Sequence, residues 1–160
     1  MSLDLYLTTS TPRPHKGTGV YVRENGANVE LQTLEEVREH FPDADLDAIT
    51  EQTTETNYLF DRNITHNLTR MADKVPCGDY TLYDLLWRPD EHGFTHVTNE
   101  YRSLVNSALP YFLANRADLE QYNPSNGWGS YDSLLDFLFE YCKALSQWDG
   151  IEKVEITASR

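Results

Sequence analysis

Leu3, Leu5 and Leu7 alternate with Asp4 and Tyr6, the period of two expected of a strand with one buried face. The alternation lapses after Leu7, and Pro12, Pro14, Gly17 and Gly19 predict a loop from Thr8 to Gly19. Beyond it, Val20-Tyr21-Val22 and Val29-Glu30-Leu31 flank Glu24-Asn25-Gly26-Ala27-Asn28. Asn-Gly accepts positive φ, so this stretch predicts a hairpin. Thr33-Leu34-Glu35-Glu36 is a capping box that opens a short helix through His40, and Pro42 ends it. Residues 51–60, rich in Thr and closing with Tyr58-Leu59-Phe60, predict a further strand.

From residue 63 the period changes. Ile64, Leu68, Met71 and Val75 recur at helical spacing, with Asn63 or Asp61 placed to cap. A second helix is expected over Leu82–Trp87, stopped by Arg88-Pro89. A third starts near Thr98 and buries Tyr101, Leu104, Val105, Ala108, Leu109 and Phe112, with Pro110 expected to kink or split it. Asn123-Pro124-Ser125-Asn126-Gly127-Trp128-Gly129 is the sharpest loop, and Ser130 caps a helix from Tyr131 to about Trp148. On that helix Asp132, Asp136, Glu140, Lys143 and Gln147 share a narrow polar stripe, while apolar residues fill the rest of the circumference. Such a helix is central to a core, or half-covered by a second subunit. Val154 and Ile156 predict a last strand.

Strands first, helices second and a strand last predict an α+β fold. The expected architecture is a small, mostly antiparallel sheet of N-terminal strand, hairpin and C-terminal strand, packed against four or five helices. One globular domain over 1–160 is expected: strand-rich over 1–60, helical over 61–148, with a C-terminal strand over 151–157.

Charge narrows the partners. The 160 residues carry 13 Lys+Arg against 26 Asp+Glu, a formal net charge of −13. Phosphate backbones repel such a surface, so direct nucleic-acid binding is not expected. No stretch approaches the ~20 apolar residues of a membrane span, and Met1-Ser2-Leu3-Asp4-Leu5 lacks a signal-peptide pattern. Cys77 and Cys142 lack the spacing of a zinc or disulfide framework, so free thiols and a cytoplasmic location are expected.

Several motifs imitate known sites and fail. Asp43-Ala44-Asp45-Leu46-Asp47 starts like a calcium loop, but Ala48 stands where the turn glycine belongs and Thr54 where the bidentate glutamate belongs. Lys16-Gly17-Thr18-Gly19 runs into a strand, not the helix N-terminus a phosphate loop needs. His92 and His96 have an HxxxH spacing, but Gly93, Thr95 and Val97 argue for a loop, and no metal or cofactor is expected.

Two clusters are richer in chemistry. In Asn63-Ile64-Thr65-His66-Asn67-Leu68-Thr69-Arg70, helical spacing puts His66 about 200° from Ile64. His66, Arg70 and Asp73 then line an outer face, either solvated or forming a polar pocket, while Asn67 borders the apolar stripe. In Asn126-Gly127-Trp128-Gly129-Ser130-Tyr131, glycines on both sides of Trp128 let the backbone approach a neighbour closely. As structure, Trp128 plugs the core and Ser130 caps a helix. As a site, an aromatic platform and free backbone donors suit a nucleotide or an anion. With Trp87 and Arg88, the candidate ligand-binding residues are Asn63, His66, Asn67, Arg70, Trp87, Arg88, Asn126, Trp128 and Tyr131.

Met-Ser-Leu-Asp-Leu-Tyr at the start, Asn63 to Ala72, Leu82 to Asp90, and Asn123 to Tyr131 with the helix after it resemble a family of small proteins encoded by tailed bacteriophages, prophages and some bacteria. Its shared features are the asparagine-histidine helix, the Leu-Trp-Arg-Pro stop, the Asn-Gly-Trp-Gly turn and a short C-terminal strand. Residues 75–81 look longer than the equivalent link, and 43–57 diverge. The resemblance implies an accessory role in a bacterial host and carries no catalytic residues across. Three functions stay open. The first is a non-enzymatic binding protein with a host protein or a small nucleotide-like ligand as partner. The second is a small enzyme acting on a nucleotide or phosphorylated compound, with His66 as general acid/base and Arg70 or Arg88 clamping phosphate. The third is an assembly protein that forms homo-oligomers through its last helix.

Overall fold

A computed structural model describes residues 2–12, 18–46 and 54–160. Met1, Pro14, Lys16, Gly17, Asp47, Ala48 and residues 51–53, which belong to motifs above, lie outside the described residues. Strand β1 (Ser2–Pro12) is the middle of a three-stranded sheet, between β4 (Thr54–Thr65) and β7 (Glu155–Ser159). β1 and β7 are antiparallel, with Leu5 opposite Ala158 and Leu7 opposite Ile156. β4 also runs against β1, because Tyr58 packs edge-on against Tyr6 while Asn63 reaches Ser2 and Asp4. Leu3, Leu5 and Leu7 are buried, as their alternation predicts.

The expected loop from Thr8 is a correction: β1 continues to Pro12. Thr9 is buried and the Thr11 hydroxyl accepts a bond from Asn57 Nδ2 at 2.8 Å. β-Branched threonines suit a strand, and sheet pairing decides where the leucine pattern is silent. β4 likewise overruns the predicted helix start. Ile64 is buried in the sheet, and helical structure begins only at His66, with Thr65 rather than Asn63 or Asp61 accepting the capping bond from Asn67 N.

The chain forms two compact units, Met1–Thr9 with Tyr58–Arg160, and Ser10–Asn57. In the smaller unit, β2 (Tyr21–Glu24) and β3 (Ala27–Glu30) form a separate two-stranded ribbon. Asn25 and Gly26 both have positive φ, 52° and 83°, as a type I′ turn requires. Helix α1 (Leu34–His40) follows, capped by Thr33, and the unit's buried centre is Leu31 with Val37.

In the larger unit a 3₁₀ turn (His66–Leu68) leads into α2 (Thr69–Ala72) and the short β5 (Pro76–Cys77) and β6 (Tyr80–Thr81). Helix α3 (Leu82–Trp87) has the predicted limits, closed at its start by a Thr81–Asp84 capping box. Helix α4 (Asn99–Ala114) passes through Pro110 undivided, and α5 (Arg116–Glu120) follows. Helix α6 (Tyr131–Ser146) buries Leu134, Phe137, Leu138, Tyr141 and Leu145 in one core with β1, α3 and α4. The fold is α+β, with antiparallel strand pairing. Among the described residues, no helix is long and apolar enough to cross a membrane.

Polar groups inside this core are paired. Tyr101 donates its hydroxyl to Leu85 O at 2.8 Å, so Tyr141, 2.7 Å from the Tyr101 oxygen, donates to Tyr101. Burial raises both phenols, keeping them neutral donors. Both described cysteines are free thiols, and burial pushes Cys77 up to about 12 and Cys142 up to about 11.

Candidate functional site

β4 ends at Thr65, and the turn that follows carries Asn67 and Arg70 out of the sheet. The loop before α6 comes back against this turn at Gly129. A side chain at that residue would lie 2.7 Å from Thr65 Cγ2 and 3.1 Å from Leu68, and its φ is +95°. Glycine is required on both counts. The close approach that the glycines around Trp128 predict is therefore made, against Thr65 and Leu68.

Trp128 does not plug the core. It is 71% exposed, and with Ser2, Asn63, Thr65 and Asn67 it lines a cleft of about 420 Å³. A second cleft of about 530 Å³ shares Asn67 and continues along Arg70, Tyr122, Asn123, Ser125 and Asn126. Five of the nine candidates, Asn63, Asn67, Arg70, Asn126 and Trp128, thus line two adjoining clefts.

The other four lie elsewhere. His66 Nδ1 accepts the indole N–H of Trp87 at 2.9 Å, and Trp87 is buried. An indole nitrogen can only donate, so the neutral His66 ring carries its hydrogen on Nε2. This corrects the expectation of an outward His66: once Ile64 belongs to β4, the helical spacing that placed His66 opposite it no longer applies. Arg88 pairs with Glu91 and lies over Tyr83, which stacks on Trp87. The Glu91 hydrogen bond raises Arg88. Tyr131 is buried, stacked on Phe112 at 4.5 Å, with its hydroxyl donated to Phe112 O at 2.6 Å and Arg116 over its ring.

The second cleft is lined mainly by polar surface, the Trp128 cleft by polar and apolar surface together, and hydrogen bonding sorts their donors from their acceptors. Asn63 Nδ2 donates to Ser2 Oγ at 2.7 Å and Asp4 Oδ1 at 2.8 Å. Asn126 Oδ1 accepts Trp128 N at 2.9 Å, and Asn123 Oδ1 accepts Tyr131 N at 2.7 Å. The Trp128 backbone donor expected to be free is therefore used within the turn. Ser130 and Ser133 form a capping box that occupies the start of α6. Arg70 has no carboxylate partner among the described residues, and it lies over Tyr122 at 5.9 Å with Lys74 at 5.8 Å. Asp73, with Thr69 and Tyr83, meets Arg70 in a smaller depression of about 210 Å³.

The failed metal motif has other contacts. His92 Nε2 faces Asp84 Oδ1 at 3.3 Å, and His96 Nδ1 faces Thr95 Oγ1 at 3.2 Å.

Ser2, Tyr122 and Asn123 line the clefts without having been singled out from sequence. Ser2 enters because β1 pairs with β4, a register that no local pattern encodes. Asn123 carried a signal, standing three residues before Asn126 in the same turn. Searches of protein-family models, curated proteins and solved structures return no match to this chain.

Proposed function

We propose that the protein is a non-enzymatic binding protein that holds a small, planar, nucleotide-like ligand in the joined clefts, with Trp128 as its stacking surface. The observation that carries this reading is the exposed Trp128 side chain beside a cleft that Ser2, Asn63, Thr65 and Asn67 also line, on a turn whose Trp128 N–H and neighbouring Tyr131 N–H are both satisfied internally. A large aromatic ring left in water forfeits its burial energy, while a base stacked on it recovers about 1–3 kcal/mol. Polar amides around the ring supply orientation, the usual division of labour in a small-molecule site.

His66 is not placed to act as a general base. Its Nδ1 is committed to Trp87, and its Nε2 already bears the hydrogen, so it has no free lone pair for a general base. The likeness to small phage-encoded proteins supports an accessory role in a bacterial cytoplasm, in which sequestering a ligand is sufficient action.

Native mass spectrometry of protein purified gently from a bacterial cytoplasm tests the reading. An added mass of a few hundred daltons is expected on the wild-type chain and not on Trp128→Ala. A bare wild-type chain would overturn the ligand reading, and one that instead carries a stoichiometric host protein would replace it with protein capture.

A further inference from the structure

The two clefts differ in what they offer a ligand, and the difference is fixed by bonds that leave no choice of amide orientation. A carboxylate only accepts, so Asn63 must turn its NH₂ toward Asp4, and both hydrogens of that group are spent on Ser2 and Asp4. Its Oδ1 has no partner among the described residues. In the Trp128 cleft, Asn63 is therefore an acceptor alone.

The adjoining cleft has the opposite character. A backbone N–H only donates, so Asn126 and Asn123 must turn their oxygens inward to Trp128 N and Tyr131 N. Their NH₂ groups have no partner among the described residues, and they share the cleft with the Arg70 guanidinium. Lys74, on the same Tyr122 ring, brings a second positive charge close by. Among the described residues no carboxylate lines this cleft, in a chain of net charge −13.

We infer that the ligand is a nucleoside monophosphate whose base carries an exocyclic amine: the base stacks on Trp128 and gives its amine to Asn63 Oδ1, and the phosphate lies among Arg70, Asn123 and Asn126. This rests on the ligand-binding reading above and specifies its chemistry. A phosphate monoester carries about −1.5 to −2 charge at neutral pH, which the Arg70–Lys74 pair matches. Arg70 and the amide donors hold it by charge-assisted bonds. An amine withheld from Asn63 leaves the ring end of the ligand without its acceptor, which disfavours bases lacking one.

Calorimetric titration of the full chain with four probes tests this: AMP, CMP, adenosine, and purine riboside 5′-monophosphate, which lacks the amine. AMP or CMP is expected to bind at least about tenfold tighter than the amine-free nucleotide, and AMP about tenfold tighter than adenosine. Arg70→Gln is expected to remove most of the difference between AMP and adenosine and leave adenosine unchanged, while Arg70→Lys keeps most of it. Equal binding of AMP and the amine-free nucleotide, or an equal loss of AMP and adenosine in Arg70→Gln, would overturn this inference and leave Trp128 as a stacking site. Failure of all four probes to bind would overturn the ligand reading itself.

Discussion

Trp87 and His66 are joined by one hydrogen bond that links the buried end of α3 to the turn after β4. Removing the acceptor strands a largely buried indole N–H, which costs about 1–3 kcal/mol. His66→Ala is expected to lower stability by that amount in urea unfolding. His66→Gln restores an acceptor oxygen and should recover part of it. Sequence alone singled out both residues but not their pairing, because the spacing argument assumed a helix at Ile64. Trp128 shows the converse. Its flanking glycines announced a close approach, but whether the ring faced core or water depended on what β4 and β1 placed opposite.

At the scale of elements, the Gly127–Gly129 turn decides where the indole stands. Gly127 and Gly129 both have positive φ, but a side chain at Gly127 meets nothing within 4 Å among the described residues, whereas one at Gly129 meets Thr65 and Leu68. Gly127→Ala should therefore cost about 1 kcal/mol of backbone strain and spare binding. Gly129→Ala adds a steric clash, so it should destabilise further and displace Trp128, weakening ligand binding at least about tenfold. Thermal unfolding and the same calorimetric titration separate the two effects. Helices α3, α4 and α6 were legible because each has a Ser or Thr cap and an apolar stripe, and the hairpin because Asn25-Gly26 encodes its turn. The extents of β1 and β4 were not, since their outer halves carry threonine and polar residues whose strand character comes from pairing with each other.

Across the whole molecule, apolar burial is unevenly spread. The larger unit has one continuous core built from β1, α3, α4 and α6, while the smaller has Leu31 and Val37 at its centre. Two-stranded ribbons are marginal without such support. Amides of Tyr21–Glu30 should exchange with solvent faster than those of β1, β7 and α6, which open near the global limit. Equal protection in both would show that the smaller unit has support beyond its visible core. The α+β class followed from the order of patterns along the chain, because composition and period are local properties. The joined clefts did not, because they assemble from β1, the end of β4, α2 and the loop before α6.

The chain has three tryptophans, and they differ in setting: Trp87 is buried against His66, Trp148 donates its indole N–H to Glu152 O, and Trp128 stands exposed at the cleft. Their indole ¹H–¹⁵N resonances, followed as AMP is added to the labelled protein, report whether a ligand stacks on Trp128. A saturating shift of the Trp128 resonance, with Trp87 and Trp148 unmoved, is the expected result. A Trp128 resonance that stays in place throughout the titration would show that the nucleotide does not stack there.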